Sequence, residues 1–285
     1  MKMFIIGGSA SKTIAEDLSK ETGIPLAETE IYRFPDNELY VRIKQDIQDE
    51  EVIVIQTTYP DDHIIELLLL LDACKRAKAK RILVIIPYFG YARQDRQFKA
   101  GEPVSAQVLA TLFSVYATEV INIDPHKDYI KDFFSIPAKN VSAVPLLANY
   151  LEEKDIDVIL APDKGALDRA KQAAKHLGCE FDYLEKTRID GSKILMKTKI
   201  LDVKGLSVVI LDDIISTGGT MAAAIKELKK QQATSVYVAC THGLFAGNAI
   251  EKLKAAGCDE IIATDTIHSA YSKVKIAPIL TSFIE

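Results

Sequence analysis

Val208-Val-Ile-Leu-Asp-Asp-Ile-Ile-Ser-Thr-Gly-Gly-Thr220 is the stretch on which the reading of this chain turns. Residues 206–211 form a short, mostly β-branched run between Gly205 and an acidic pair, the pattern of a strand buried on both faces. Met221-Ala-Ala-Ala-Ile-Lys-Glu-Leu228, which follows the glycines, is strongly helix-forming. Ser216, Thr217, Gly218, Gly219 and Thr220 therefore gather hydroxyls and free N–H groups at a helix N-terminus, a ready anion site. Gly218 and Gly219 let the backbone turn and approach an anion without a Cβ in the way. Asp212 and Asp213 stand at the predicted strand end, where open α/β sheets contact ligands, and carboxylates suit sugar hydroxyls. Taken singly, each part is also an acidic strand end, a turn or a capped helix. Their spacing within one βα unit favours a sugar-phosphate site.

Outward from this stretch, the 285 residues leave room for about two domains. The composition, 48% hydrophobic and 26% charged, is that of an ordinary globular protein. A net charge of −5 argues against nucleic-acid binding through a global basic surface and leaves room for a local basic site. Cys74, Cys179, Cys240 and Cys258 are scattered without metal-type pairing and read as small core residues in a reducing compartment. The apolar runs are too short to span a bilayer, and Lys2 is followed at once by a strand-like run rather than a signal-peptide core, so no membrane association and a cytoplasmic location are expected.

The pattern along the chain alternates strand and helix. Strands are expected at 3–6, 52–56, 81–87, 120–123 and 158–161, with two short strands between 30 and 43. Helices are expected at 13–22, 62–79, 104–114, 144–154 and 166–177. Lys12-Thr13 follows glycines, but Ser11 and Ile6 occupy the places of the two Walker A glycines, so this turn reads as a capped helix start. The halves echo each other at an offset of 116 residues: 105–126, ending at His126, corresponds to 221–242, ending at His242. Two similar domains, 1–142 and 143–285, follow from one duplicated βα plan, each a mainly parallel sheet flanked by helices.

The loop 88–103 is long and rich in aromatic, glycine and basic residues, and loops of this length are commonly functional. Its Arg93 and Arg96 could neutralise phosphates, with Gln94 and Asp95 bonding a base or ribose; a solvated surface loop fits the composition equally well. His126 and Asp163 each follow a strand at a Pro-containing turn and could hold Mg²⁺ through water, although a lone polar strand end is as simple. Lys186 and Arg188 lie in a polar segment with Gly191, either a charged hairpin or a basic flap suited to phosphoryl transfer.

The combination resembles a known family. Leu211-Asp-Asp-Ile-Ile-Ser-Thr-Gly-Gly-Thr220 is similar to the phosphoribosyl-pyrophosphate loop of type I phosphoribosyltransferases. Arg33-Phe-Pro-Asp-Asn-Glu38, Tyr88-Phe-Gly-Tyr-Ala-Arg-Gln-Asp-Arg96, Asp124-Pro-His126, Ala161-Pro-Asp163 and Lys186-Thr-Arg188 are not transferase features and look like those of ribose-phosphate pyrophosphokinases. The resemblance runs from the first strand to Thr264-Asp-Thr-Ile267.

It implies two phosphoribosyltransferase-like domains and transfer of the β,γ-diphosphoryl group of Mg-ATP to the 1-hydroxyl of ribose 5-phosphate, releasing AMP. By motif, residues 216–220 would hold the 5-phosphate and Asp212 and Asp213 the ribose hydroxyls. Phe34, Asp36, Glu38, Arg93, Gln94, Asp95 and Arg96 would hold ATP, in this family often across a subunit interface, so a homo-oligomer is implied. His126 and Asp163 would serve magnesium. Lys186 and Arg188 would close over the β-phosphate.

Ser216 stands where many relatives carry aspartate, and its N–H and hydroxyl can still serve phosphate. The chain ends soon after 276–280, without the extra helix and Ser-rich tail of longer members, so the ADP and phosphate control to which that tail contributes is not among the expectations. Two other readings remain open: a phosphoribosyltransferase, which would leave the first half unused, and a non-catalytic sugar-phosphate-binding homologue, which would have no need of Lys186, Arg188 and His126.

Overall fold

Strands without polar alternation must be covered on both faces, and the chain supplies such strands twice over, each time with helices to cover them. The computed structural model describes residues 2–188, 194–198 and 202–284, with side chains for 2–185 and 202–284. Two compact units result, Met1–Ser142 with Ile276–Glu285, and Ala143–Lys275.

In the first unit β1 (Met3–Gly7) leads into α1 (Lys12–Thr22), then a hairpin of β2 (Thr29–Arg33) and β3 (Leu39–Ile43). Next come β4 (Glu51–Ile55), α2 (Asp62–Arg76), β5 (Arg81–Ile86), α3 (Ser105–Ser114), β6 (Glu119–Ile123) and β7 (Ala138–Val141). The central run Ile82 to Ile86 is buried throughout, as its uniform apolarity requires. The five-stranded sheet is parallel, in the order β1-β4-β5-β6-β7. Leu26 adds a single parallel bridge to Ile5 on the outer side of β1, supported by Ile5 N–H donating to the Pro25 carbonyl at 2.9 Å. The second strand of the plan is thus reduced to one residue before the chain departs into the hairpin.

The second unit runs α4 (Val144–Leu151), β8 (Val158–Ala161), α5 (Leu167–Leu177), β9 (Glu180–Arg188), β10 (Ile194–Thr198) and β11 (Ser207–Ile215). It continues through α6 (Gly219–Lys230), β12 (Ser235–Gly243), α7 (Ala249–Ala255), β13 (Glu260–Thr264) and β14 (Ser272–Val274). Its sheet order is β10-β9-β8-β11-β12-β13-β14, parallel except for the β9–β10 pair. With Leu26 in the place of β9, and leaving out β10, both units share the order 2-1-3-4-5-6, whose switch point lies between the first and third strands.

The 116-residue offset read from the sequence links β6, which begins at Glu119, with β12, which begins at Ser235, but in the shared strand order β6 corresponds to β13 and β12 to β5, so the offset joins strands that are not equivalent in the two sheets. β6 stops at Ile123, which leaves His126 half-buried beyond the sheet, whereas β12 continues to Gly243 and buries His242 against Thr266 Oγ1 at 2.9 Å.

Residues 276–285, which the sequence reading places in the second domain, pack with the first unit. Ile276, Ala277 and Leu280 are fully buried, and α8 (Ala277–Leu280) lies on α1. The cause is apolar matching that sequence order does not reveal, since apolar α8 packs on α1, whose Ile14 and Leu18 are buried. The helix expected at 144–154 ends at Leu151, and Glu152–Lys154 tighten into a 3₁₀ turn before Asp155 takes a left-handed conformation at φ 48°.

Candidate functional site

Asp212 and Asp213 lie within β11 rather than past its end. β8 pairs with β11 only as far as Leu160 opposite Ile210, while β12 carries β11 on to Ile215. On the β8 side the acidic pair therefore stands beyond the shorter strand, at the switch point of the sheet. Asp213 is buried and Asp212 half-buried. Asp212 Oδ1 accepts from the Asp213 N–H at 2.9 Å, and Asp213 Oδ2 lies 3.6 Å from Arg169 Nη2 on α5. Burial, then the neighbouring Asp213 carboxyl, raises the Asp212 carboxyl well above the usual carboxylate range.

The turn after β11 is built as an anion seat. Gly218, at φ 70°, caps α6, whose first amides have no partner inside the helix. Thr217, Gly219 and Thr220 are exposed, so their N–H and hydroxyl groups can reach a ligand. The segment after β12 braces the turn from behind: Phe245 N–H donates to the Ile215 carbonyl and Ala246 N–H to the Ser216 carbonyl, each at 3.0 Å. Lys252 Nζ on α7 adds a long contact to the Thr217 carbonyl at 3.4 Å. Asp163, at the end of β8, is exposed; its Oδ1 accepts from Gly165 N–H at 2.8 Å, and the other oxygen can be offered to a cation through water. Lys186 and Arg188 fall on β9, and their side chains lie outside the described residues, as does Gly191.

In the first unit, the hairpin turn carries Phe34, Asp36 and Glu38, all exposed. It is closed by Phe34 N–H to the Glu38 carbonyl at 2.9 Å, with Asn37 at φ 73°. Asp36 Oδ1 accepts from the Glu38 N–H at 3.1 Å. Arg33 ties the turn to α2 through Asp62 at 2.7 Å. Phe34 remains 42% exposed while stacking edge-on against Tyr32 and Tyr40, at centroid distances of 5.4 and 5.6 Å. A large apolar ring held in place but open on one side suits a nucleobase.

Between β5 and α3, the long loop separates its polar residues into two kinds. Asp95 is buried and accepts from the Tyr129 hydroxyl, and Gln94 Oε1 accepts from Ser105 Oγ at 2.5 Å, so both anchor the loop. Arg93 and Arg96 are exposed, with the Arg96 guanidinium 5.1 Å from the Phe98 ring centroid. These two are the groups free of a burial role that can meet phosphates.

The switch point of this unit is occupied by protein. Glu66 on α2, 2% exposed, accepts from Ser9 N–H at 2.6 Å and from Ser9 Oγ at 2.5 Å, while Gln56 Oε1 accepts from Ala10 N–H at 3.2 Å. Burial pushes the Glu66 carboxyl up, but bonds from His63 and Ser9 outweigh it and hold it below the ordinary range. A carboxylate of the chain itself thus binds the turn after β1, the counterpart of the Asp163 turn after β8. His126 lies half-buried just beyond β6.

The sequence reading missed Arg169. Its pairing with Asp213 joins residues far apart in the chain, and its neighbours on α5 carry no motif that would mark it. Among the described residues no group of three or more His, Cys, Asp or Glu side chains is placed to hold a metal. No helix among them is long and apolar enough to cross a membrane.

Comparison with known proteins extends this geometry. Residues 3–116 match the N-terminal domain of ribose phosphate pyrophosphokinase, and residues 139–273 match the phosphoribosyl transferase domain. The chain is 40% identical to a ribose-phosphate pyrophosphokinase of Methanothermobacter thermautotrophicus, covering 99% of each chain. It is 43% identical to that of Methanosarcina mazei, over 97% of this chain and 93% of the relative. The crystal structure of phosphoribosylpyrophosphate synthetase from Mycobacterium smegmatis superposes with a TM-score of 0.89 at 30% identity, covering 100% of this chain and 98% of the other.

Proposed function

Because the chain belongs to the ribose-phosphate pyrophosphokinase family, we propose that it transfers the β,γ-diphosphoryl group of Mg-ATP to the 1-hydroxyl of ribose 5-phosphate, giving phosphoribosyl pyrophosphate and AMP. The observation that carries the reading is that similarity extends through both units and not through the sugar-phosphate unit alone. A phosphoribosyltransferase would have no use for the hairpin with Phe34 or the loop with Arg93 and Arg96.

The roles follow from the local chemistry. Thr217, Gly218, Gly219 and Thr220, with Ser216, seat the 5-phosphate on the N-terminal amides of α6. Asp212 and Asp213 orient the ribose hydroxyls. Phe34 stacks on the base, Asp36 and Glu38 meet its polar edge or the ribose, and Arg93 and Arg96 neutralise phosphate charge while Gln94 and Asp95 hold their loop. Asp163 and His126 would hold Mg²⁺, mainly through water, and the ion supplies charge neutralisation on the triphosphate. Lys186 and Arg188 meet the charge that develops on the transferred group, so no covalent nucleophile is required. The enzyme acts as a homo-oligomer, as the exposed hairpin aromatics suit a shared ATP site.

The test is product identity. Incubation with ribose 5-phosphate and Mg-ATP is expected to give AMP and a 1-diphosphorylated sugar. ADP as product would mean an ordinary kinase, and absence of turnover with retained sugar-phosphate binding would mean a non-catalytic homologue.

A further inference from the structure

The ion pair from α5 to β11 gives the acidic dyad an asymmetry that its sequence does not have. Arg169 Nη2 lies 3.6 Å from Asp213 Oδ2, with the two side chains 19% and 6% exposed, so the pair is largely withdrawn from solvent screening. Adjacent carboxylates taken out of water do not both ionise readily, and a cation beside one of them determines which keeps the proton.

The Cys240 thiol on β12, paired in register with Asp212, is fully buried and pushed far up by burial, so it stays neutral. Past the end of β8 come Asp163, engaged with Gly165, and Lys164. Asp212 itself is tied through Oδ1 to the Asp213 N–H.

We propose that Arg169 is a positioning residue of the sugar-binding dyad: it holds Asp213 as the ionised member and leaves Asp212 to carry the proton, so that the pair meets vicinal hydroxyls with one full acceptor and one group that both donates and accepts. A diol whose oxygens each donate and accept is matched better by this mixed pair than by two carboxylates that only accept. The assignment rests on the sugar-phosphate reading of the site.

The dyad can be titrated by carbon-13 NMR of carboxyl-labelled aspartate in the unliganded protein, alongside the pH profile of kcat/KM for ribose 5-phosphate. With Arg169→Met, the lower macroscopic step of the dyad is expected to rise by about one pH unit, the scale of a nearby opposite charge. The midpoint of the kcat/KM profile should move up by the same amount. On the acid limb, below the wild-type midpoint, kcat/KM should fall about tenfold, chiefly through KM. Arg169→Lys keeps a cation and should return both midpoints most of the way. If the methionine variant does not fold, Arg169→Gln, which keeps polar contacts without charge, should show the same displacement. Unmoved midpoints in the neutral variants, or a lysine variant displaced as far as they are, would overturn the proposal. A wild-type protein without diphosphoryl transfer would count against the functional reading instead, since the NMR titration needs no substrate.

Discussion

Gly218 touches Ala249: a Cβ on Gly218 would lie 3.2 Å from the Ala249 carbonyl oxygen and 3.3 Å from its Cα, and Gly218 sits at φ 70°. The start of α7 is therefore the wall against which the anion seat is formed. Any side chain at 218 must both enter a left-handed conformation and displace that wall.

Gly218→Ala is accordingly expected to lose about 1–2 kcal/mol of stability from the left-handed conformation alone. The contact with Ala249 should shift the loop, raising KM for ribose 5-phosphate at least tenfold on the scale of a lost charged hydrogen bond. Thermal unfolding and sugar-phosphate titration measure the two effects. Wild-type affinity in a folded variant would detach this loop from the 5-phosphate.

Asp212 supplies a pH signature. Its folded-state carboxyl is raised, by burial first and by Asp213 second, so between the ordinary aspartate range and the raised value the native state binds more protons than the unfolded chain. Stability of the unliganded protein should therefore fall as pH rises through that window. Asp212→Asn removes the titration, and its melting temperature should exceed that of the wild type toward the upper end and converge with it below. Parallel melting curves at every pH would contradict the shared proton.

Glu66 closes the switch point of the first unit; it is buried, and its bonds reach the exposed Ser9. Glu66→Leu removes two hydrogen bonds to the exposed Ser9, whose groups can turn to water instead, and should cost about 1–2 kcal/mol in urea unfolding. Because the fold lowers the Glu66 carboxyl, its contribution is present above the ordinary glutamate range and fades as pH falls through the folded value. The leucine and wild-type proteins should therefore approach each other in stability under acid conditions.

Lys186→Ala should lower kcat by about 10²–10³-fold, with a much smaller change in KM for ribose 5-phosphate, as for loss of a group that acts on transition-state charge. Unchanged turnover would remove Lys186 from the chemistry.

The two-unit α/β plan was legible because its central strands are apolar runs and α1, α5 and α6 begin at glycine-containing turns, both local properties. The anion seat was legible for the same reason, since Ser216 to Thr220 and the strand before them are contiguous. Residue type likewise marked Arg93 and Arg96, but composition could not separate them from Gln94 and Asp95. Only the folded loop does so, by turning Asp95 onto Tyr129 and Gln94 onto Ser105.

The sequence by itself determined what is set within one βα unit: strand burial, loop composition and the placing of carboxylates before a glycine turn. Tertiary structure alone decided what depends on distant parts of the chain meeting. It put the last residues onto α1, filled the first switch point with Glu66, buried His242 while leaving His126 outside its sheet, and brought Arg169 to Asp213. The physical reason is that local patterns are encoded by backbone preference and side-chain periodicity. The charge state of a buried dyad is fixed instead by whichever cation the packing of a separate helix delivers to it.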